Sequence, residues 1–152
     1  MIFIGVDPGK SGGYAIIAES DVGKSAHVYP WDDAQFAKQM AALMQVRIRG
    51  RIVAAVEKVG AMPGQGVTSM FSFGKSAGYI EGVLTALGIP YQLVLPKKWK
   101  AEFALGKDKQ ASIVTCRKLF PGVSLRATDR CRTDSDGMAE ALLMAEYARR
   151  KL

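Results

Sequence analysis

The chain has 152 residues, 49% of them hydrophobic and 23% charged, the length and balance of one globular domain with a sizeable core spanning residues 1–152. Lys and Arg number 21 against 14 Asp and Glu, a formal charge of +7 that points to a polyanionic partner, either nucleic acid or an acidic membrane surface. Two cysteines, Cys116 and Cys131, and a lone histidine, His27, match neither a disulfide framework nor a zinc site, no apolar run approaches the ~18 residues of a membrane span, and MIFIGVDPGK lacks signal-peptide character, so a reduced cytosolic setting is expected.

The charge is unevenly placed. Residues 1–90 hold eight basic and seven acidic side chains, whereas residues 91–152 hold thirteen and seven, so the second half would do most of the holding of an anion.

In chain order, Ile2 to Val6 is a short apolar run closed by Asp7-Pro8-Gly9, which predicts a buried strand ending in a turn. Tyr14 to Ala18 predicts a second strand and Ala26 to Tyr29 a third, together a β-meander. After Asp32 and Asp33, the apolar residues Phe36, Met40, Leu43, Met44 and Val46 fall near helical spacing, with Arg47 and Arg49 at the end, a charge polarity that suits a helix dipole. Arg51 to Glu57 predicts another buried strand that stops on a carboxylate, as the first strand stops beside Asp7. Residues 58–68 are rich in glycine and predict a loop. Ser69 to Leu87 has helical spacing ended by Gly88, and Tyr91 to Leu95 gives a fifth strand that Pro96-Lys97-Lys98-Trp99-Lys100 breaks. Lys109 to Phe120 predicts a helix stopped by Pro121-Gly122, residues 121–135 a flexible polar loop, and Asp136 to Leu152 the clearest helix. The order β-β-β-α-β-α-β-α-α makes a mixed α/β sheet flanked by helices, with strand four beside strand one through a helical crossover.

Asp7, Glu57 and Asp134/Asp136 all stand at element ends. If strands one and four are parallel neighbours, Asp7 and Glu57 leave the sheet at one edge, and a helix opening with Asp136 can pack there. Carboxylates gathered without histidine or cysteine suit Mg²⁺ or Mn²⁺, and two such ions support phosphodiester hydrolysis. Taken singly, each acid also reads as a solvated strand end or a helix cap. Gly5-(x3)-Gly9-Lys10-Ser11 is one residue short of a phosphate-binding loop and is followed by a strand-like run rather than a helix, so no nucleotide cofactor is expected, although Lys10 can still touch a DNA phosphate.

Gly5-Val6-Asp7-Pro8-Gly9-Lys10-Ser11-Gly12-Gly13-Tyr14, Val56-Glu57-Lys58-Val59 and Asp136-Gly137-Met138-Ala139-Glu140-Ala141-Leu142-Leu143-Met144-Ala145 resemble, in order and spacing, the RuvC family of Holliday-junction resolvases. The short length and the Gly/Pro loop after Glu57 look most like its phage-encoded branch, which would act in the host cytoplasm. The resemblance implies an RNase H-like mixed five-stranded sheet flanked by helices, a homodimer, two Mg²⁺ ions for which Mn²⁺ can substitute, and cleavage of branched DNA, four-way junctions above all, to 5′-phosphate and 3′-hydroxyl ends. It implies Asp7 as the ligand bridging both ions, Glu57 on one, and Asp136 with Asp134 on the other. The family's usual fourth acid falls on Thr133 here; Asp134 substitutes for it, or Glu140, one helical turn beyond Asp136, reaches the site instead. The family's junction-wedging aromatic is also missing from the loop after Glu57, where Met62, beside Lys58 and Gln65, is an apolar wedge or part of a plain covering loop.

The basic residues fall in two clusters beside these acids: Lys97, Lys98, Lys100, Lys107 and Lys109, and Arg126, Arg130 and Arg132. That placement suits a phosphate-tracking DNA surface, with Lys109 resembling a family lysine near the scissile phosphate. Trp99 stacks on a base or, more simply, pins its turn. The helix 69–87 carries Gly74, Ala77, Gly78 and Gly82, small enough for a dimer interface or for close packing on the sheet. The rival activities are an RNase H-like nuclease on RNA–DNA hybrids or flaps and a non-cleaving junction-binding protein. A sugar-kinase or actin-like ATPase is disfavoured because the chain is too short for two lobes.

Overall fold

An apolar run such as IFIGV is stable as a strand only when both faces of the sheet are covered, and here both are. The computed structural model describes residues 1–45, 51–60, 64, 66–106 and 108–152, without the side chain of Lys109. Its strands are β1 (Ile2–Asp7), β2 (Gly13–Ser20), β3 (Gly23–Pro30), β4 (Ile52–Glu57) and β5 (Tyr91–Val94), and its helices α1 (Asp33–Gln45), α2 (Val67–Ala86), α3 (Pro96–Glu102), α4 (Lys109–Leu119) and α5 (Asp136–Lys151). The sheet order is β3-β2-β1-β4-β5. β1–β2 and β2–β3 are antiparallel, and β1–β4 and β4–β5 are parallel, the mixed sheet expected from the sequence.

Side-chain alternation divides the core in two. Ile2, Ile4 and Val6 join Tyr14, Ala54 and Val56 under Phe36 and Met40 of α1 and Ile80 and Leu84 of α2. Phe3, Ala15, Ile17, Val53 and Ala55 lie under Trp99, Ile113, Cys116 and the long apolar side of α5. The middle of α5, from Gly137 to Ala148, is almost wholly buried. Gly5 permits this, because a Cβ there would overlap the backbone of Ala141 and Ala145. Gly137 does the same at the helix start, where a Cβ would overlap the Ser11 carbonyl. The helix therefore rests with its backbone directly on β1 and on the turn after Asp7.

Two local expectations are corrected. Pro96 to Lys100 ends β5 but also begins a helix, since a proline at the first helical position gives up no hydrogen bond. α2 starts at Val67 rather than Ser69. The segment 121–135 holds no helix or strand, as expected, and is pinned at two places: Leu125 is buried and its carbonyl accepts from Ser135 N at 2.8 Å, and Asp134 is held by Arg117. The stretch with Val46, Arg47 and Arg49 lies outside the described residues.

The far end of α5 is fastened electrostatically. Glu146, 3% exposed at its side chain, accepts from Arg149 Nε at 2.8 Å and from Arg150 Nε at 2.9 Å, with Lys24 Nζ at 3.8 Å. Arg149 also reaches Glu19 at 3.1 Å, tying α5 to the β2–β3 hairpin. Burial alone would raise the Glu146 carboxyl, but the hydrogen bonds from Arg149 and Arg150 outweigh it and hold the group below its ordinary range. A depressed folded value means a contribution fully present above the unfolded value of about 4.3 and lost as pH falls through the lower folded value. Glu146→Gln is therefore expected to cost roughly 2 kcal/mol at neutral pH, the arginines being about a third exposed, and to flatten the acid limb of a denaturation series below about pH 4.3.

Candidate active site

β1 and β4 run parallel in the register Ile2↔Ile52 through Val6↔Val56. One step further, Asp7 and Glu57 emerge side by side at the same end of the sheet. Both share the parity of Phe3, Gly5, Val53 and Ala55, so both face α5. The turn in α5 that Gly137 seats against Ser11 and Gly12 carries Asp136 at its start, and Glu140 four residues on lies on the same helix face. Among the described residues, Asp7, Glu57 and Glu140 form a group in which one carboxylate oxygen from each lies within 4.8 Å of the other two.

α3 closes the group from the side. Trp99 is fully buried and donates its Nε1–H to Glu57 Oε2 at 2.7 Å. Lys100 Nζ lies 3.0 Å from Glu140 Oε1, which Ser112 Oγ also approaches at 3.4 Å. Burial, then the charges of Glu57, Glu140 and Asp136, push the Asp7 carboxyl well above the carboxylate range, with Lys100 opposing. Burial also raises Glu57, against the Trp99 hydrogen bond, while Glu140 adds to the rise and Lys100 opposes it. Crowded, partly buried carboxylates of this kind are stabilised by a multivalent cation, and oxygen-only donors select a hard one. The residues present match a divalent metal site.

The sequence-predicted residues divide accordingly. Asp7 and Glu57 converge, and Asp136, whose Oδ1 accepts from Gly137 N at 3.0 Å, lies near enough for its charge to act on Asp7. Of the two candidates for the remaining acid, Glu140 stands in the group. Asp134 faces away into an ion pair with Arg117 at 2.6 Å, with Arg126 at 4.0 Å, and staples the 121–135 segment to α4. Lys10 and Lys58 are exposed on the segments after Asp7 and Glu57, Lys97 and Lys98 are exposed on α3, and Arg130 and Arg132 are exposed before α5. Met62, Gln65 and Lys107 lie outside the described residues, and Lys109 is placed only by its backbone, at the start of α4. Trp99 pins structure rather than presenting a face for stacking, and what it pins is Glu57, a contact that no spacing signal announces. The available hint was position: Val94 pairs with Glu57 at the end of β5, so the segment just beyond β5 lies next to that carboxylate.

No family model and no curated protein sequence matches the chain. Among solved structures it is similar to Thermus thermophilus RuvC in complex with a Holliday junction substrate, at 20% identity over 99% of this chain and 97% of that one, with a TM-score of 0.60. A second Thermus thermophilus RuvC structure gives 21% identity, coverage of 99% and 96%, and a TM-score of 0.55. The yeast mitochondrial Holliday junction resolvase Ydc2 gives 14% identity, coverage of 97% and 77%, and a TM-score of 0.57. The chain thus has the RuvC-type, RNase H-like fold: a mixed five-stranded sheet flanked by helices.

Proposed function

We propose that this protein is a divalent-metal-dependent endonuclease that resolves four-way DNA junctions. The observation that carries the reading is the convergence of Asp7, Glu57 and Glu140, with Asp136 adjacent, on a fold whose structural neighbours include a Holliday junction resolvase and RuvC bound to a Holliday junction. Asp7, Glu57, Asp136 and Glu140 would hold Mg²⁺ or Mn²⁺. Bound there, the ions supply an activated water and offset charge on the phosphate during phosphodiester hydrolysis.

The remaining roles belong to the chain's own side chains. Trp99 fixes the orientation of Glu57. Lys10, Lys58, Lys97 and Lys98, with Arg130 and Arg132, form a basic rim around an acidic centre and track phosphates, so binding is led by shape and weakens steeply with salt. The protein acts as a homodimer, a reading supported by α2, which exposes Val67, Phe71, Gly74 and Gly78 along its outer side. The reading extends to the phage-encoded resolvases, working in a host cytoplasm where Cys116 and Cys131 stay reduced, and is supported by the Gly/Pro stretch after Glu57.

The test is competition in Mg²⁺ among a synthetic four-way junction, a fork, a flap and an RNA–DNA hybrid. Preferred, paired incision of the junction is the expected result. Preference for the hybrid would make the protein an RNase H-like nuclease instead, and retention of the junction without nicking would make it a binding protein.

A further inference from the structure

Two consecutive residues of the short helix α3 hold two different carboxylates of the group. Trp99 donates to Glu57 at 2.7 Å and Lys100 pairs with Glu140 at 3.0 Å. Glu57 arrives on β4 and Glu140 on α5, so α3 joins the two elements at the site.

The two contacts differ in kind. The indole is neutral, fully buried and fixed in the core. It occupies one oxygen of Glu57 and leaves the other available to a cation. The Lys100 ammonium carries a full charge on a flexible stem, its side chain is 34% exposed, and it lies 5.1 Å from the Trp99 ring centroid. It also borders a cleft of about 580 Å³ formed with Lys97, Leu105, Asp108, Ser112 and Glu140, which gives the side chain room to move. This ammonium opposes the charge of both Asp7 and Glu57. A divalent ion would compete with it for the same Glu140 carboxylate, and it carries twice the charge.

We propose that Lys100 is a placeholder cation that holds Glu140 in the metal-free protein and gives it up to the divalent ion, whereas Trp99 positions Glu57 in both states. This rests on reading the carboxylate group as a metal site. Lys100 thereby keeps like charges together before metal arrives, at the expense of metal affinity, and Trp99 adds to that affinity.

The test is calorimetric titration of the intact protein with Mn²⁺, at constant pH and without DNA, for the unmodified chain, Lys100→Met and Trp99→Phe. Lys100→Met is expected to bind Mn²⁺ about 5-fold tighter or more, because the competing cation is gone. Trp99→Phe is expected to bind about 10-fold weaker, as when a ligand loses its supporting hydrogen bond. In the unmodified protein, acylation of Lys100, read by mass spectrometry against Lys98 as internal reference, is expected to speed up on adding Mn²⁺. That measurement needs no variant and so is independent of how well the variants fold. If the unmodified protein binds Mn²⁺ but Lys100→Met binds it equally or more weakly, or Lys100 acylation does not change, the placeholder role is overturned while the metal site stands. If the unmodified protein binds no Mn²⁺, the metal reading and the placeholder role fall together.

Discussion

Asp7→Asn is expected to lower junction cleavage by at least about 10³-fold and, in the same protein without metal, to raise the melting temperature. Both effects have one cause. Asp7 is half-buried, its charge faces Glu57, Glu140 and Asp136, and its carboxyl is held well above the usual range. A raised folded value in an acid means that the folded state binds the proton more tightly than the unfolded one. Stability is therefore lost as pH rises from the unfolded value of about 3.9 through the folded value, and at neutral pH the carboxyl is a net cost to folding. Asparagine keeps the shape and removes that cost, worth about 2–4 °C per 1 kcal/mol in a chain of this size. Adding Mg²⁺ should reverse the order, raising the unmodified protein's melting temperature by ligand linkage and the variant's much less. Thermal scans with and without Mg²⁺, beside a cleavage assay, check both arms; an Asp7→Asn protein that still cuts the junction removes Asp7 from the chemistry.

The largest loss of stability is expected from a single methyl group at Gly5. In Gly5→Ala the new carbon would overlap the backbone of Ala141 and Ala145, and backbone cannot step aside as a flexible side chain can. α5 would have to lift from β1 over its most buried turns, an overpacking cost expected to exceed about 3 kcal/mol. The lift also carries Glu140 away from Asp7, so whatever folded protein remains should bind Mn²⁺ more weakly than its loss of stability alone explains. Gly78→Ala is the matched control: a Cβ there meets no atom within 4 Å, and helix propensity predicts a gain of about 0.5–1 kcal/mol. If α2 forms the dimer interface, that same change weakens self-association, which sedimentation at several concentrations reads directly.

Much of this architecture was legible in the chain. The continuous apolar runs of β1 and β4 announced strands covered on both faces, and each ended on or beside an acid. The motif carrying Asp7, the strand carrying Glu57 and the helix carrying Asp136 and Glu140 were all visible as separate elements, and the parallel pairing of strands one and four followed from the crossover. Less legible was α3, because Pro96 follows directly on the end of β5 and reads as a breaker. The choice between Asp134 and Glu140 was not legible at all.

The sequence by itself determined every described element except α3, which face of each is apolar, and that several carboxylates stand at their ends, because those properties follow from local periodicity and turn chemistry. Only the tertiary structure decided which carboxylates meet. The seating of α5 on Gly5 and of Gly137 on Ser11 sets the helix close enough for Glu140 to join Asp7 and Glu57, while Arg117 on α4 draws Asp134 aside. A group defined within 4.8 Å depends on the height and angle at which a helix rests on a sheet. Those are set by contacts between residues more than a hundred positions apart, which no local pattern encodes.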